Sequence, residues 1–169
     1  MLSVTWTQSV ILLDLQETWL QKALRDQYEP LPMAINRGNW DAANDFLSRA
    51  EDAKTPRISK DGGTVLHAAV KAGRTKIVEK LVELLSAEEL ELKDNNGCTA
   101  LVYAASLQNT RMVDCMLRKN TNLLNIPETE DCIPLVCALL AGNLKVARHL
   151  YSVYQPHQTL RDNDASMAL

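Results

Sequence analysis

Apolar residues in this chain recur in a frame of about 35 residues, the period of a repeat array. Leu31, Leu66, Leu101 and Leu135 set its register, at intervals of 35, 35 and 34 residues. Seven positions after each comes Gly38, Gly73, Gln108 or Gly142, a turn slot where three of the four residues take φ > 0 without a Cβ penalty. Beyond the slot stand the apolar pairs Ala42-Ala43, Ile77-Val78, Met112-Val113 and Val146-Ala147. Four residues later each is followed by a second pair: Phe46-Leu47, Leu81-Val82, Met116-Leu117 and Leu150-Tyr151. Pairs so spaced share one face of a helix. Each unit therefore reads as a tight turn, a short helix, a glycine turn and a second, amphipathic helix.

No such unit can bury its apolar face alone, and stacking the units gives them one continuous core. Ala34, Ala68-Ala69, Ala104-Ala105 and Ala138 fall in equivalent slots of the first helices, where small side chains permit close approach. The predicted fold is an all-α solenoid of about four helix-turn-helix units, the first and last atypical, with short hairpin-like turns between them. Its units span about 28–60, 61–94, 95–128 and 129–154. A leader, 1–27, precedes them, and a polar tail, 155–169, follows, which also reads as a truncated further repeat.

The period alone also fits tetratricopeptide repeats, whose Trp, Leu-Gly, Tyr and Ala, Phe, Pro framework is absent here. The motif Thr64-Val65-Leu66-His67-Ala68-Ala69, followed by Gly73, resembles the ankyrin signature Thr-Pro-Leu-His-x-Ala, with Val65 in place of proline. Asn96-Gly97-Cys98-Thr99-Ala100-Leu101, running on to Ala104-Ala105, is a second close copy. Ile133-Pro134-Leu135 with Ala138 and Gly142, and Glu29-Pro30-Leu31 with Ala34 and Gly38, are more worn. A narrower resemblance lies in Leu90 to Leu101 and Asn120 to Pro127, which look like plant ankyrin proteins that end in a PGG membrane domain. That resemblance implies a cytosolic ankyrin arm in stress, salt or defence signalling. The sequence carries no hydrophobic multi-span segment of that kind.

Partners of ankyrin proteins commonly meet the turn tips and the exposed side of the first helices. Carried onto this chain, that points to Lys60, Asp61 and Gly63, to Asn95, Asn96 and Cys98, and to Thr129, Glu130 and Cys132 at the tips. On the first helices it points to Asn36, Arg37, Lys71, Ser106, Leu107 and Leu140. Leu107 and Leu140 are apolar where a polar residue would be tolerated. Either they anchor a partner on a concave face, or they pack against the neighbouring repeat.

Composition narrows the function classes. A net charge of −3 lacks the basic footprint of a nucleic-acid binder, and Arg74, Lys76 and Lys80 read as a solvated helix face. Four cysteines, Cys98, Cys115, Cys132 and Cys137, form no Cys-x-x-Cys pair, so no metal and no cofactor is expected. Cys98 and Cys132 hold equivalent turn positions, but a repeat step of about 10 Å exceeds the Cα reach of a disulfide. His67 is expected to hydrogen-bond nearby turn backbone rather than to catalyse. His149 and His157 have no companion in the pattern. Glu88-Glu89 and Glu91 begin or flank a turn, and Gly62-Gly63, without a following Gly-Lys-Ser/Thr, ease the turn before Thr64 instead of cradling phosphate.

The longest nearly apolar run, Cys132 to Gly142, falls short of the roughly 18 to 20 residues of a spanning helix. Val10 to Leu13 lacks the preceding Lys or Arg of a secretory signal. An intracellular, cytoplasmic location is expected, although full-length relatives of the plant type are membrane-anchored. Leu12, Leu15, Trp19 and Ala23 predict a helix over 9–25 that covers the worn first repeat or serves as a partner-binding or unordered leader. At the other end, 143–154 is more apolar than one neighbour can cover. Either the tail folds back as a partial cap or the chain is a truncated form of a longer ancestor, which would favour self-association through the uncapped end.

These features together read as a non-catalytic module for a protein partner, with no nucleic acid and no direct membrane insertion. The alternatives are a truncated membrane-anchored signalling protein and an enzyme with an unrecognised site.

Overall fold

The register leucines of the first three units share one environment in the computed structural model, which describes residues 29–49, 57–127 and 133–154, while Leu135 of the fourth is half-buried. Leu31, Leu66 and Leu101 are at most 1% exposed. They enter the first turns of three short helices: α1 (Pro30–Arg37), α3 (Val65–Lys71) and α6 (Ala100–Ser106). Leu135 enters α8 (Pro134–Leu140) in the same way. Pro30 and Pro134 sit at helix starts, where their missing N–H is not needed.

Each first helix ends at the expected turn slot. Gly38, Gly73 and Gly142 have φ of 75°, 67° and 74°, and Gln108, with no such freedom, is held at 57°. The chain then reverses into the second helix of its unit: α2 (Trp40–Arg49), α4 (Thr75–Leu84), α7 (Thr110–Lys119) and α9, a helical run over 144–154. On α4 and α7 the frame's apolar pairs face inward, with Ile77, Val78, Leu81 and Val82 buried on the first and Met112, Val113, Met116 and Leu117 on the second, whereas Ala42 on α2 and Tyr151 on α9 are exposed.

The first helices pack in sequence, α1 on α3, α3 on α6 and α6 on α8, while α4 and α7 pack side by side behind them. This is the all-α solenoid the pattern requires. Leu31, Val65, Leu66, Leu101, Met112, Met116 and Leu150 belong to one hydrophobic cluster that crosses every described unit.

Two connections hold more structure than the pattern suggests. The acidic stretch after α4 is a helix, α5 (Ala87–Leu90), and not a bare turn. Ser86 caps it by accepting from the Glu89 N–H at 3.2 Å, and the Glu89 carboxylate accepts the Ser86 N–H at 2.6 Å. After α7, Asn120 accepts from the Asn122 N–H and starts the 3-10 turn Thr121–Asn125. The hairpin-like tip between units two and three contains one antiparallel bridge, Lys93 to Thr99.

The expected leader helix over 9–25, the tip residues Thr129, Glu130 and Cys132, His157 and the 155–169 tail lie outside the described residues. Among the described residues no helix is long and apolar enough to cross a membrane.

Candidate protein-binding surface

The tips are fixed before anything can bind them. In the second unit Gly62, at φ 70°, donates to Ser59 O at 3.0 Å, and the Ser59 hydroxyl accepts the Gly63 N–H at 2.8 Å. Where the second unit passes into the third, Asp94 holds the place of Ser59 and does more. Its carboxylate accepts from the N–H of Asn96 at 3.0 Å and of Cys98 at 3.1 Å, closing the turn around Gly97, at φ 77°. The two tips join where Asn95 N–H donates to Asp61 O at 2.9 Å.

Side chains then tie the tips to the first helices. Lys71, at the end of α3, is paired with Asp61 and reaches Asp94 at 3.2 Å. Its ammonium also lies 3.9 Å from the centre of the Tyr103 ring. Tyr103 on α6 donates its hydroxyl to Asp94 at 2.6 Å. The electrostatics follow from these contacts. Hydrogen bonds from Lys71 and then Ser59 hold the Asp61 carboxyl down to about 2. Burial works against the Lys71 ammonium, but its hydrogen bonds to Asp61 and Asp94 outweigh it and raise the group. Burial, then the bond to Asp94, pushes the Tyr103 phenol up to about 12. Burial also opposes the Asp94 charge, yet its donors keep the group below the usual carboxylate range.

His67 has the structural duty its motif implies. It is 1% exposed, with Nδ1 3.2 Å from the Thr64 N–H and Nε2 3.0 Å from the Cys98 carbonyl. The bond to Cys98 reaches beyond its own turn and clamps the next unit. Val102 occupies the same place in unit three, and there the buried Thr99 hydroxyl finds no partner among the described residues.

The sequence candidates divide three ways. Asn36, Arg37, Lys60, Asn95, Asn96, Ser106, Leu107 and Leu140 are exposed. Asp61 and Lys71 are half-buried and engaged with each other, so the tip network uses them internally. Gly63 and Cys98 are buried, the first under Ser59 and His67 and the second in a small cluster with Val102 and Cys137 that floors a groove between α6 and α8. Leu107 is 50% and Leu140 79% exposed; packing against a neighbouring unit consumes neither.

Four candidates converge. Asn96, Cys98, Ser106 and Leu140 line an open groove of ≈ 390 Å³ between α6 and α8, together with Val102, Tyr103 and Cys137. Leu107 stands outside its wall. A second groove, ≈ 570 Å³, runs over α4 and α7 among Glu79, Glu83, Arg118 and Lys119. Cys115 lines it too, but burial, and then Glu79, pushes its thiol up to about 11, which leaves it a poor nucleophile.

Pattern reading missed Asp94 and Tyr103. The signal for Asp94 was its shared frame position with Ser59, a residue that also accepts from a turn N–H. His149 does have a neighbour across the unit boundary, since its Nε2 lies against the Asp114 carboxylate of the preceding unit, although without hydrogen-bond geometry. Arg74 and Lys80 are solvated as expected, yet each also bridges units: Arg74 donates to Asn36 O, and the Lys80 ammonium stands 4.9 Å from the Trp40 ring centre. Arg74 follows the turn slot directly, and the same position in later units makes the same backward reach. Asn109 donates to the Thr75 hydroxyl at 2.9 Å. Asn143 donates to Ala105 O at 2.8 Å and Ser106 O at 2.7 Å.

Comparison with known proteins follows the same register. Residues 61–95 match the family model for the ankyrin repeat, and residues 79–162 match the model for three copies of ankyrin repeats. Inversin of Canis lupus familiaris is 27% identical over 116 residues, 69% of this chain and 10% of that protein. Calmodulin-binding transcription activator 2 of Homo sapiens is 29% identical over 99 residues, 53% of this chain and 8% of that protein. A probable 26S proteasome regulatory subunit of Saccharomyces cerevisiae is 23% identical over 141 residues, 83% of this chain and 61% of that protein. The chain spans less than two thirds of the length of each of these relatives.

Proposed function

We propose that this chain, which belongs to the ankyrin-repeat family, is a non-catalytic module that holds a protein partner across the groove between α6 and α8. The observation that carries this reading is Leu140. It is 79% exposed in a frame position that is Asn36, Lys71 and Ser106 in the other units. A large apolar side chain left in water at the rim of a groove floored by Val102, Cys98 and Cys137 extends an apolar surface that a partner can bury. Asn96, Tyr103 and Ser106 supply hydrogen-bonding groups around it, on a tip that Asp94 and Lys71 keep rigid. Preorganisation of that kind lowers the entropy lost on binding.

Binding, not catalysis, is what the polar groups favour. His67 is buried and spent on two backbone contacts, and Cys115 is held as a thiol. The relative aligned over 83% of this chain carries the name of a probable 26S proteasome regulatory subunit. Stress or defence signalling in a plant is the finer reading, supported by the PGG-type resemblance of Leu90 to Leu101 and Asn120 to Pro127.

The test is a pull-down from plant cytosol with the wild-type chain and a Leu107→Asp, Leu140→Asp double variant, followed by titration of the partners recovered. Partners should be lost from the variant while its helical content stays the same. Identical partner lists and affinities from both would overturn the groove reading.

A further inference from the structure

Ten residues after the register leucine stand Asp41, Lys76, Arg111 and Lys145, all exposed and each in the first turn of the second helix of its unit. A helix start carries a partial positive charge, so Asp41 is stabilising there and the three cations are not. Neither α4 nor α7 has an acidic residue in its first turn to offset them. Arg111 is paired with Glu79, but Lys76 and Lys145 have no carboxylate partner among the described residues. Both are exposed, so packing does not compensate either. A local rule broken in three consecutive units without a structural gain marks side chains kept for another purpose.

The three cations stand in a row. Asn109, at the start of α7, donates to Thr75 at the start of α4, and the two helices pack side by side. Asn143, just before α9, reaches back to Ser106 O, and further along α9 His149 lies against Asp114 of α7. The starts of the three helices are therefore level, and neighbouring cations are separated by one step of packed helices, about 8–10 Å. The row is narrow. Three residues further along, Glu79 and Asp114 border it on α4 and α7, and Asp41 closes it at the first unit. On α9 that bordering position is Arg148, exposed and without a carboxylate partner among the described residues.

We propose that Lys76, Arg111 and Lys145 form a docking row for an extended acidic segment of a protein partner, with a carboxylate at every third residue. Extended backbone rises about 3.3 Å per residue, so three residues cover about 10 Å, one step of the row. Each such carboxylate meets one cation, and the residues between them need no charge. A membrane surface or a nucleic-acid backbone carries its negative charge more broadly, over Glu79, Asp114 and Asp41 as well, and those carboxylates repel it. The row shares no residue with the groove between α6 and α8, so the two surfaces are separable by mutation.

Fluorescence anisotropy with the full chain at low salt, where exposed charges are least screened, tests this with two labelled peptides of one composition. One has glutamates at its first, fourth and seventh positions, and the other has the same three glutamates adjacent. The spaced peptide should bind about tenfold more tightly than the clustered one, and Lys76→Gln with Lys145→Gln should weaken it about tenfold, the sum of two exposed charge pairs. The urea midpoint of that variant should hold or rise, because it removes cations from helix starts. Lys76→Arg with Lys145→Arg should bind as wild type, and so should Leu140→Ser, which strips the groove of its exposed rim. Equal affinity for the two peptides, no binding of either, or affinity unchanged by the glutamine substitutions would overturn the proposal. Tighter binding of polyuridylate or of phosphatidylserine vesicles than of the spaced peptide would do the same, assigning the row to a nucleic acid or a membrane.

Discussion

The Nε2 of His67 stands 3.0 Å from the carbonyl oxygen of Cys98, one unit further along the chain. A carbonyl only accepts, so Nε2 carries the ring proton and Nδ1 is left to accept from Thr64. His67→Ala removes both bonds and leaves a buried void. It should cost about 2–4 kcal/mol, read from the urea midpoint at constant m.

Stability should fall in acid in two stages. Burial, opposed by the bond to Cys98, holds His67 below its ordinary value, so the unfolded chain takes up the proton first. Stability is therefore intact above the unfolded value, about 6.5, and declines as pH falls below it. Asp61, held at about 2 against 3.8, contributes stability that is present above 3.8 and is lost as pH falls toward 2. Urea midpoints measured from pH 7 to pH 3 should show both stages in the wild type. His67→Gln should weaken the decline between pH 6.5 and 5, and Asp61→Asn the decline below pH 4. A first stage of equal depth in the His67 variant would show that another group carries it.

Thr64 and Thr99 hold the same frame position with opposite consequences. Thr64 has His67 beside it, and Thr99, facing Val102, has a buried hydroxyl with no acceptor among the described residues. Thr64→Val should cost about 1–2 kcal/mol, while Thr99→Val should be neutral or stabilising by up to about 1 kcal/mol. Thermal unfolding of the two variants side by side checks the sign of the difference.

The turn slot offers a cleaner comparison. An added Cβ at Gly142 would meet nothing within 4 Å, so Gly142→Ala tests backbone conformation alone. It should lose about 1 kcal/mol, and Gln108→Gly should gain a similar amount by relieving φ 57°. Denaturant midpoints that move in the same direction for both variants would contradict the slot's equivalence.

The register leucines, the turn slot and the inward pairs were legible because each is local: a spacing of four or seven residues fixes a helix face or a reversal. His67 was legible as scaffold for the same reason, since its bond to Thr64 lies within one turn. The link from Lys71 to Asp61, Asp94 and Tyr103 was not. It depends on how far one unit is displaced from the next, which no single-unit pattern contains. Asp61 and Lys71, ten residues apart in one unit, pair because the tip folds back over the end of α3, and the next unit's packing turns Cys98 from a tip residue into a buried one. Ser86 and Glu89 were a missed local signal, a capping box at its usual spacing.

The backward reach of Arg74, Asn109 and Asn143 has a direction. In each case the later residue donates and the earlier unit accepts. A chain leaving the ribosome N-terminus first therefore presents every acceptor before its donor has been made. Each new unit arrives to find its docking groups already in place on a folded predecessor. The order of translation and the order of assembly then coincide, and the growing chain waits on no unmade residue at these rungs.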